Sequence, residues 1–318
     1  MSLWVAGMEA ARIKAIAARA QSGGATVEEF ADCRGIKLYD VHLRGAGAQL
    51  IYGPGGTHIL LPDTLDPRER TWAIAHELGH YEMKHDAPPA NELCAPRPQR
   101  PGGRAERDPE DEANEWAMMF TMQDSDVAPL CDQMPMTLDP VLQLALRCGV
   151  PPVAAAVRLM SVTARYCAVV LSERGVIQWA SPSLRLLGVM DVARFPEGKP
   201  IGEGALARRF ADTGSLGHGP ELVPARAWID GVSDDTWLQE HSMPTDQPGT
   251  VLTMLWAPSD PDVPRELVMS PRLVPTVRDM YLYDEAGRIA LSRELMEPCP
   301  IAPTWLDVLL SPDVRAAG

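Results

Sequence analysis

The fold is decided by residues 73–81, which read AIAHELGHY and contain the pattern H-E-x-x-H. In a helix, His76 and His80 lie one turn apart on the same face, so their imidazole nitrogens can reach a single metal ion. Glu77 is offset from His76 by about 100° around a helix of 3.6 residues per turn. It can therefore lie beside the metal and take a proton from the attacking water, the general-base role in zinc peptidases.

The residues before the motif predict a buried helix. Asp66 and Pro67 suit its N-cap and first turn, and residues 71–75 are uncharged and mostly apolar. Burying histidines and a glutamate without partners costs free energy, and a metal ion would supply a partner. The alternative is a chance match, or a core helix whose histidines only hydrogen-bond to carbonyl groups. The apolar flank favours the metal site.

A third metal ligand is expected from a later helix, because a catalytic zinc site usually takes three protein ligands and a water. Residues 108–120 predict that helix, with Asp108 as N-cap and Pro109 in the first turn. Its apolar face follows the i, i+3, i+4, i+7 spacing and consists of Ala113, Trp116, Ala117 and Phe120.

Glu110 and Glu112 compete for the ligand position, since they are about 200° apart around the helix and cannot both point at one metal. Glu110 is favoured because Asn114 follows it by one turn. This spacing resembles the E-x-x-x-D arrangement of gluzincin peptidases, in which the Glu binds zinc and the later residue hydrogen-bonds a ligand histidine. Asp111, Glu112 and Glu115 are interpreted as a solvated acidic helix start that suits the helix dipole.

The elements before the motif predict an α+β domain. An Ala-rich helix over residues 8–20 precedes strands at 36–43, 49–52 and 57–61. We expect an antiparallel sheet, with Pro62 placing the last strand at an edge. An edge strand beside the metal could hold an extended peptide by β-augmentation.

Three segments together resemble the ImmA/IrrE metallopeptidases. They are residues 57–61 (THILL), 67–80 (PRERTWAIAHELGH) and 110–122 (EDEANEWAMMFTM). The family pattern is a strand, an arginine-containing lead-in, H-E-x-x-H, and later E-x-E-A-N-x-F-A-x-x-L-L-M-P. Carried over position by position, the resemblance implies a metal held by His76, His80 and Glu110, with Glu77 as the catalytic base.

The resemblance covers residues 5–125 and departs from the family pattern at three places. Trp116 stands where Phe is usual, and Thr121 and Gln123 replace Leu and Pro. These departures affect packing and the exit of the chain from the helix, so they cast little doubt on the metal ligands.

Members of that family cleave helix-turn-helix repressors and so release genes for stress responses or mobile-element transfer. The resemblance therefore implies a gluzincin-like endopeptidase whose protein substrate is such a repressor. Zn²⁺ suits two histidines and a carboxylate, and Mn²⁺ is tolerated by similar ligands. No motif specifies the substrate, the activating signal or the oligomeric state.

Composition favours a cytoplasmic protein that does not bind nucleic acid directly. The net charge is −14 and the sequence pI is about 4.9, whereas phosphate binding requires basic surface. The six cysteines are scattered without a C-x-x-C pair, which predicts reduced thiols. No signal-peptide core and no membrane-length apolar run are present, so no membrane partner is expected.

Three regions are predicted: a zincin-like metallopeptidase domain (1–135), a helix-turn-helix-like helical segment (136–165) and an α/β GAF-like sensor or interaction domain (166–318). Within the first, the Pro-rich stretch 86–108 is open to two interpretations, a lid over the active site or a surface excursion. Within the second, the helix after Gly149 offers few basic residues, so a packed connector is preferred to a DNA-reading element.

The third region begins with a predicted hairpin. Residues 167–171 and 176–179 are short apolar runs around a Gly turn, and 251–256 predict a buried strand. A helix is expected around 204–210. The placement is similar to that of the GAF-like domain in the IrrE branch of the family. The isolated polar residues are expected on the solvated surface; they are His218, His241, Asp234 and Asp235.

Two other functions stay open. One is a regulatory binding protein that acts through its C-terminal domain on a repressor or on DNA, without proteolysis. The other is a metal hydrolase of small molecules. A Glu77→Gln variant with full regulatory activity in cells would favour the first, and turnover of dipeptides or acyl amides alone would favour the second.

Overall fold

The structure is a computed structural model of the 318-residue chain. It describes residues 3–43, 47–53, 55–85, 108–131, 136–187, 195–216, 219–232 and 236–256. All of these belong to one compact unit. Residues 86–107 of the Pro-rich stretch lie outside the described residues, as do His218, Asp234 and Asp235.

The first half of the described chain combines four helices with a small sheet, which confirms the α+β class. The elements are α1 (Leu3–Gln21), α2 (Val27–Cys33), β1 (Lys37–Val41), β2 (Gln49–Gly53), β3 (Gly56–Pro62), α3 (Pro67–Met83) and α4 (Pro109–Thr121).

The small sheet has the order β1-β3-β2 and differs from expectation in two ways. β3 is antiparallel to β2 but parallel to β1, so the predicted all-antiparallel sheet is wrong. β3 is also the central strand, and the edges are β1 and β2. Pro62 is tolerated because it is the last residue of β3, opposite Val41, where the ladder ends and no interior hydrogen bond is lost.

Helix α3 begins at a capping box. The Asp66 carboxylate accepts the N–H groups of Arg68 and Glu69, and the Glu69 carboxylate accepts the N–H of Asp66. The helix ends at Lys84, which adopts a left-handed conformation with φ 60°. Residues 72–80 between these ends are all buried, so both histidines of the motif lie in the interior.

Helix α4 packs closely against α3 at Gly79. A Cβ atom there would lie 2.8 Å from the carbonyl oxygen of Ala113, so only glycine fits without moving one helix. On the other side of α4, Trp116 stacks on Phe120 with ring centroids 4.8 Å apart, and both rings contact Phe30 of α2. α4 is therefore held between α3 and α2.

The second half carries helices and a five-stranded antiparallel sheet in the order β5-β4-β8-β7-β6. The elements are α5 (Asp124–Cys131), α6 (Asp139–Cys148), α7 (Pro152–Val162), β4 (Cys167–Glu173), β5 (Val176–Pro182), α8 (Leu184–Leu187), α9 (Leu206–Thr213), β6 (Glu221–Pro224), β7 (Trp237–Pro244) and β8 (Thr250–Trp256).

The hairpin and the buried strand predicted in this half are present. β4 and β5 pair through a turn at Arg174 and Gly175, both with positive φ (49° and 76°), as a two-residue hairpin turn requires. Every residue of β8 is buried. His241 on β7 is not simply solvated, because its Nδ1 accepts the N–H of Leu138 at 3.0 Å and thereby anchors the start of α6.

Helices α6 and α7 are bent by 112° relative to each other at Gly149, which has φ 64°. Residues 154–160 of α7 are all buried. Arg158 is 2% exposed, donates to the carbonyl of Met122 and pairs with Asp124. Its guanidinium therefore cannot reach a phosphate, which favours the packed connector over a DNA-reading helix.

One cluster of buried apolar side chains runs from Ala11 in α1 to Trp256 in β8. It joins the two halves, and the three-region division of the sequence stays a prediction. In the described part of the chain no single helix has the length and apolar character to cross a membrane; α6 and α7 meet that test only as a bent pair.

Candidate metal centre

Three side chains from α3 and α4 converge at the contact between these helices. His76 Nε2 lies 3.1 Å from Glu110 Oε2, and His80 Nε2 lies 3.2 Å from Glu110 Oε1. The two Nε2 atoms are 3.0 Å apart. One potential ligand atom from each residue falls within 4.8 Å of the others, so the three could bind one ion.

The charges at this cluster suit a divalent cation. Burial raises the pKa of Glu110, but its hydrogen bonds with His76 and His80 outweigh this effect and hold the pKa well below the usual range. Two ring nitrogens so close to a carboxylate need a shared proton or a cation between them. Two imidazoles and one carboxylate are a ligand set that zinc accepts in catalytic sites, so the residues present fit a metal.

Solvent reaches the cluster at Glu110. The side chains of His76 and His80 are at most 2% exposed, whereas that of Glu110 is 30% exposed. Glu77 follows His76 on α3 and is 1% exposed. The arrangement thus combines two buried histidines and the buried carboxyl group of Glu77 with a partly exposed Glu110. A substrate requires such an accessible point.

The residue one turn after Glu110 lies against a histidine of the cluster. Asn114 Oδ1 is 3.0 Å from His76 Nδ1, and this ring nitrogen can donate its proton to the amide oxygen. When a metal takes the place of a proton at Nε2, this hydrogen bond keeps the His76 proton on Nδ1. The structure thus brings His76, His80, Glu110 and Asn114 together.

Sequence reasoning missed two residues, His85 and Glu112. His85 Nδ1 lies 3.0 Å from His80 Nδ1, and His85 Nε2 lies 2.9 Å from Glu112 Oε2. Glu112 is fully buried, so its interpretation as a solvated residue is wrong. It points away from Glu110 toward α1, where Gly7 leaves room; a Cβ at Gly7 would overlap the Glu112 carboxylate.

The interpretation of Glu115 as solvated is also wrong. Its carboxylate is 2% exposed and lies 2.8 Å from the Arg12 guanidinium of α1. The acidic start of α4 therefore faces protein on two sides, since α3 covers Glu110 and α1 covers Glu112 and Glu115. For Glu115, a charged residue near the middle of a predicted packed helix was the available signal. Glu112 lies in the first turn, where acidic residues are common, so its position gave no such signal.

The fold and the cluster define a metallopeptidase-type domain, and comparison with known families agrees. Residues 35–160 match the family Peptidase_M78, described as the IrrE N-terminal-like domain. This match confirms the resemblance of this part of the chain to ImmA/IrrE proteins. The match includes α3, α4 and every residue of the candidate centre.

Comparison with solved structures gives a match to a Mycobacterium tuberculosis transcriptional regulator. The identity is 15% and the TM-score is 0.47, with 78% of this chain and 76% of that chain covered. No curated protein matches the chain.

Proposed function

We propose that the chain is a gluzincin-like, zinc-type endopeptidase in which His76, His80 and Glu110 hold the metal and Glu77 is the general base. Its proposed substrate is a helix-turn-helix transcriptional repressor, whose cleavage would switch on a stress or mobile-element response. The observation that carries the proposal is the convergence of three ligand atoms within 4.8 Å inside a Peptidase_M78 domain. Zn²⁺ is the proposed cofactor, with Mn²⁺ as the alternative.

The side chains divide the work of peptide hydrolysis among them. Asn114 accepts the Nδ1 proton of His76 and so presents Nε2 as a ligand. Glu110 supplies the negative charge that balances a divalent cation. When bound, zinc would act as a Lewis acid that polarises the scissile carbonyl and acidifies water. Glu77 takes the proton of the attacking water and delivers it to the leaving amide nitrogen.

The remaining regions have proposed roles that follow from the family resemblance. Residues 136–165 would connect the peptidase to a GAF-like sensor or interaction domain in 166–318. The described part of that region is an antiparallel sheet, β4–β8, with α8 and α9 beside it, and it shares one apolar core with the peptidase half. A cytoplasmic location completes the proposal, because the substrate would be a transcriptional repressor.

The test is cleavage of folded repressors by the purified, zinc-loaded protein, followed by mass spectrometry of the fragments. We expect Glu77→Gln to keep its zinc and lose cleavage, because only the general base has been removed. The matched control is Glu69→Gln, a change on the same helix at its exposed first turn, which should cleave normally.

Two results would replace the proposal. If Glu77→Gln keeps full regulatory activity in cells, the chain acts without proteolysis, as a binding protein for a repressor or DNA. If the zinc-loaded protein hydrolyses dipeptides or acyl amides and leaves every folded repressor intact, it is a small-molecule hydrolase.

A further inference from the structure

We propose that Glu112 and His85 form a hydrogen-bonded pair that positions His80 and fixes the tautomer in which His80 can bind a metal. The inference rests on the proposed metal centre and deepens it. Neither residue would touch the metal, so both are positioning residues that act through His80.

With Glu112 ionised and His85 neutral, one arrangement of protons satisfies Glu112, His85 and His80 Nδ1. A carboxylate can only accept, so His85 must donate from Nε2 to Glu112 Oε2, across 2.9 Å. A neutral His85 then has an unprotonated Nδ1, which accepts the Nδ1 proton of His80 across 3.0 Å. His80 is left with an unprotonated Nε2, the atom that faces Glu110.

The backbone delivers His85 to this position. Lys84 adopts a left-handed conformation after the last turn of α3, which reverses the chain over the helix end. The N–H of His85 then donates to the carbonyl of His80 at 3.0 Å. The two rings meet edge to face, with centroids 5.1 Å apart. His85 is therefore tied to His80 through both its backbone and its side chain.

The end of this hydrogen-bonded series that lies farthest from the metal centre, His85 and Glu112, is buried. The side chains of Glu112 and His85 are 1% and 7% exposed, so solvent cannot easily replace either hydrogen bond. The carboxylate lies against Gly7 of α1, and any larger residue there would displace it. A buried carboxylate is costly unless it is paired, and His85 supplies a partner.

With the proposed pair, each of the two metal histidines has a hydrogen-bond support at its Nδ1 atom. Asn114 accepts from His76 directly, whereas Glu112 reaches His80 through His85. Both supports come from α4, the helix that also carries Glu110. One helix would thus contribute a ligand and set the tautomers of the other two ligands.

The experiment compares the zinc affinity of the full-length wild type, His85→Phe and Glu112→Gln, measured by competition with a chelator. Loss of a hydrogen-bond partner of a metal histidine typically weakens metal binding about 10–100-fold, and we expect this range for His85→Phe. His85→Gln, whose amide oxygen can still accept from His80, should restore part of the affinity. The visible absorption spectrum of the Co²⁺-loaded protein should differ from that of the wild type more in His85→Phe than in His85→Gln.

A double variant separates positioning from general loss of stability. If Glu112 acts through His85, His85→Phe/Glu112→Gln should bind zinc no more weakly than His85→Phe alone. Glu115→Gln is the matched control, because Glu115 is equally buried on α4 but pairs with Arg12 instead. It should keep wild-type zinc affinity.

The proposal is overturned if folded His85→Phe and Glu112→Gln bind zinc as the wild type does. It is equally overturned if Glu115→Gln weakens zinc as much as they do, since the effect would then come from packing. A wild type that binds neither zinc nor Co²⁺ would instead remove the metal centre itself, together with this inference.

Discussion

Adding one methyl group at Gly79 should loosen the contact on which the metal centre depends. In Gly79→Ala the new Cβ would lie 2.8 Å from the oxygen and 2.9 Å from the Cα of Ala113. Ordinary van der Waals contact begins at 3.4 Å, so α3 and α4 must move apart by about 0.6 Å. The obstructing atoms are backbone, which cannot swing aside as a flexible side chain would.

The separation has a cost in stability and in metal binding. Overpacking of this kind typically costs about 1–3 kcal/mol. Because Glu110 lies on α4 and both histidines lie on α3, the same movement displaces the carboxylate from the two ring nitrogens. We expect zinc affinity to fall about 10-fold or more, since metal ligands tolerate deviations of only about 0.2 Å.

The assay is urea denaturation of the metal-free protein, followed by zinc competition. Gly53→Ala is the matched control: its φ is not in the left-handed region, and the nearest atom to its new Cβ is 4.0 Å away. It should change the free energy of unfolding by less than about 0.5 kcal/mol. A Gly79→Ala protein that matches this control in both measurements would refute the close packing of α3 on α4.

Three further changes test other parts of the structure. Asn114→Ala should lower zinc affinity about 10-fold while the protein stays folded, measured by chelator competition; an unchanged affinity would contradict its role. Arg12→Met removes the guanidinium that pairs with the buried Glu115 carboxylate. It should cost about 1–3 kcal/mol in urea denaturation, less than for a fully buried pair, because Arg12 is 31% exposed. Burial lowers the pKa of His241. The neutral ring accepts the Leu138 N–H through Nδ1, and a ring protonated at Nδ1 could not accept it. The folded state therefore binds fewer protons, and the wild type should lose stability as pH falls below about 6.5. The measurement is the melting temperature as a function of pH. The melting temperature of His241→Gln should fall less over the same pH range, and an identical dependence on pH in both proteins would contradict this reasoning.

Helical periodicity was sufficient for the parts of the site that lie on a single helix. The spacing of His76 and His80 and the one-turn step from Glu110 to Asn114 are local, so their relative directions follow from 3.6 residues per turn. The capping residues Asp66 and Asp108 likewise mark the helix starts in the sequence.

The missed residues depend on tertiary packing. Periodicity places Glu112 opposite Glu110, but it does not reveal that α1 covers that side. His85 lies beyond the end of α3 and returns to His80 only because Lys84 adopts a left-handed conformation, which a lysine does not signal.

The strand order of the three-stranded sheet could not be predicted from the sequence either. The pairing of β2 with β3 is a local hairpin, whereas β1 joins the far side of β3 in parallel. Short apolar runs predict strands but carry little information about which strands become neighbours. The edge position expected from Pro62 failed because a proline at a strand terminus is compatible with a central strand as well.

The most direct test of the metal centre is the zinc content and zinc affinity of the purified full-length protein, compared with Glu110→Ala and Asp111→Ala. We predict one zinc per chain in the wild type, much weaker binding in Glu110→Ala, and wild-type binding in Asp111→Ala. A wild type that takes up neither zinc nor manganese, or a Glu110→Ala protein that binds zinc as tightly as the wild type, would contradict the proposed centre.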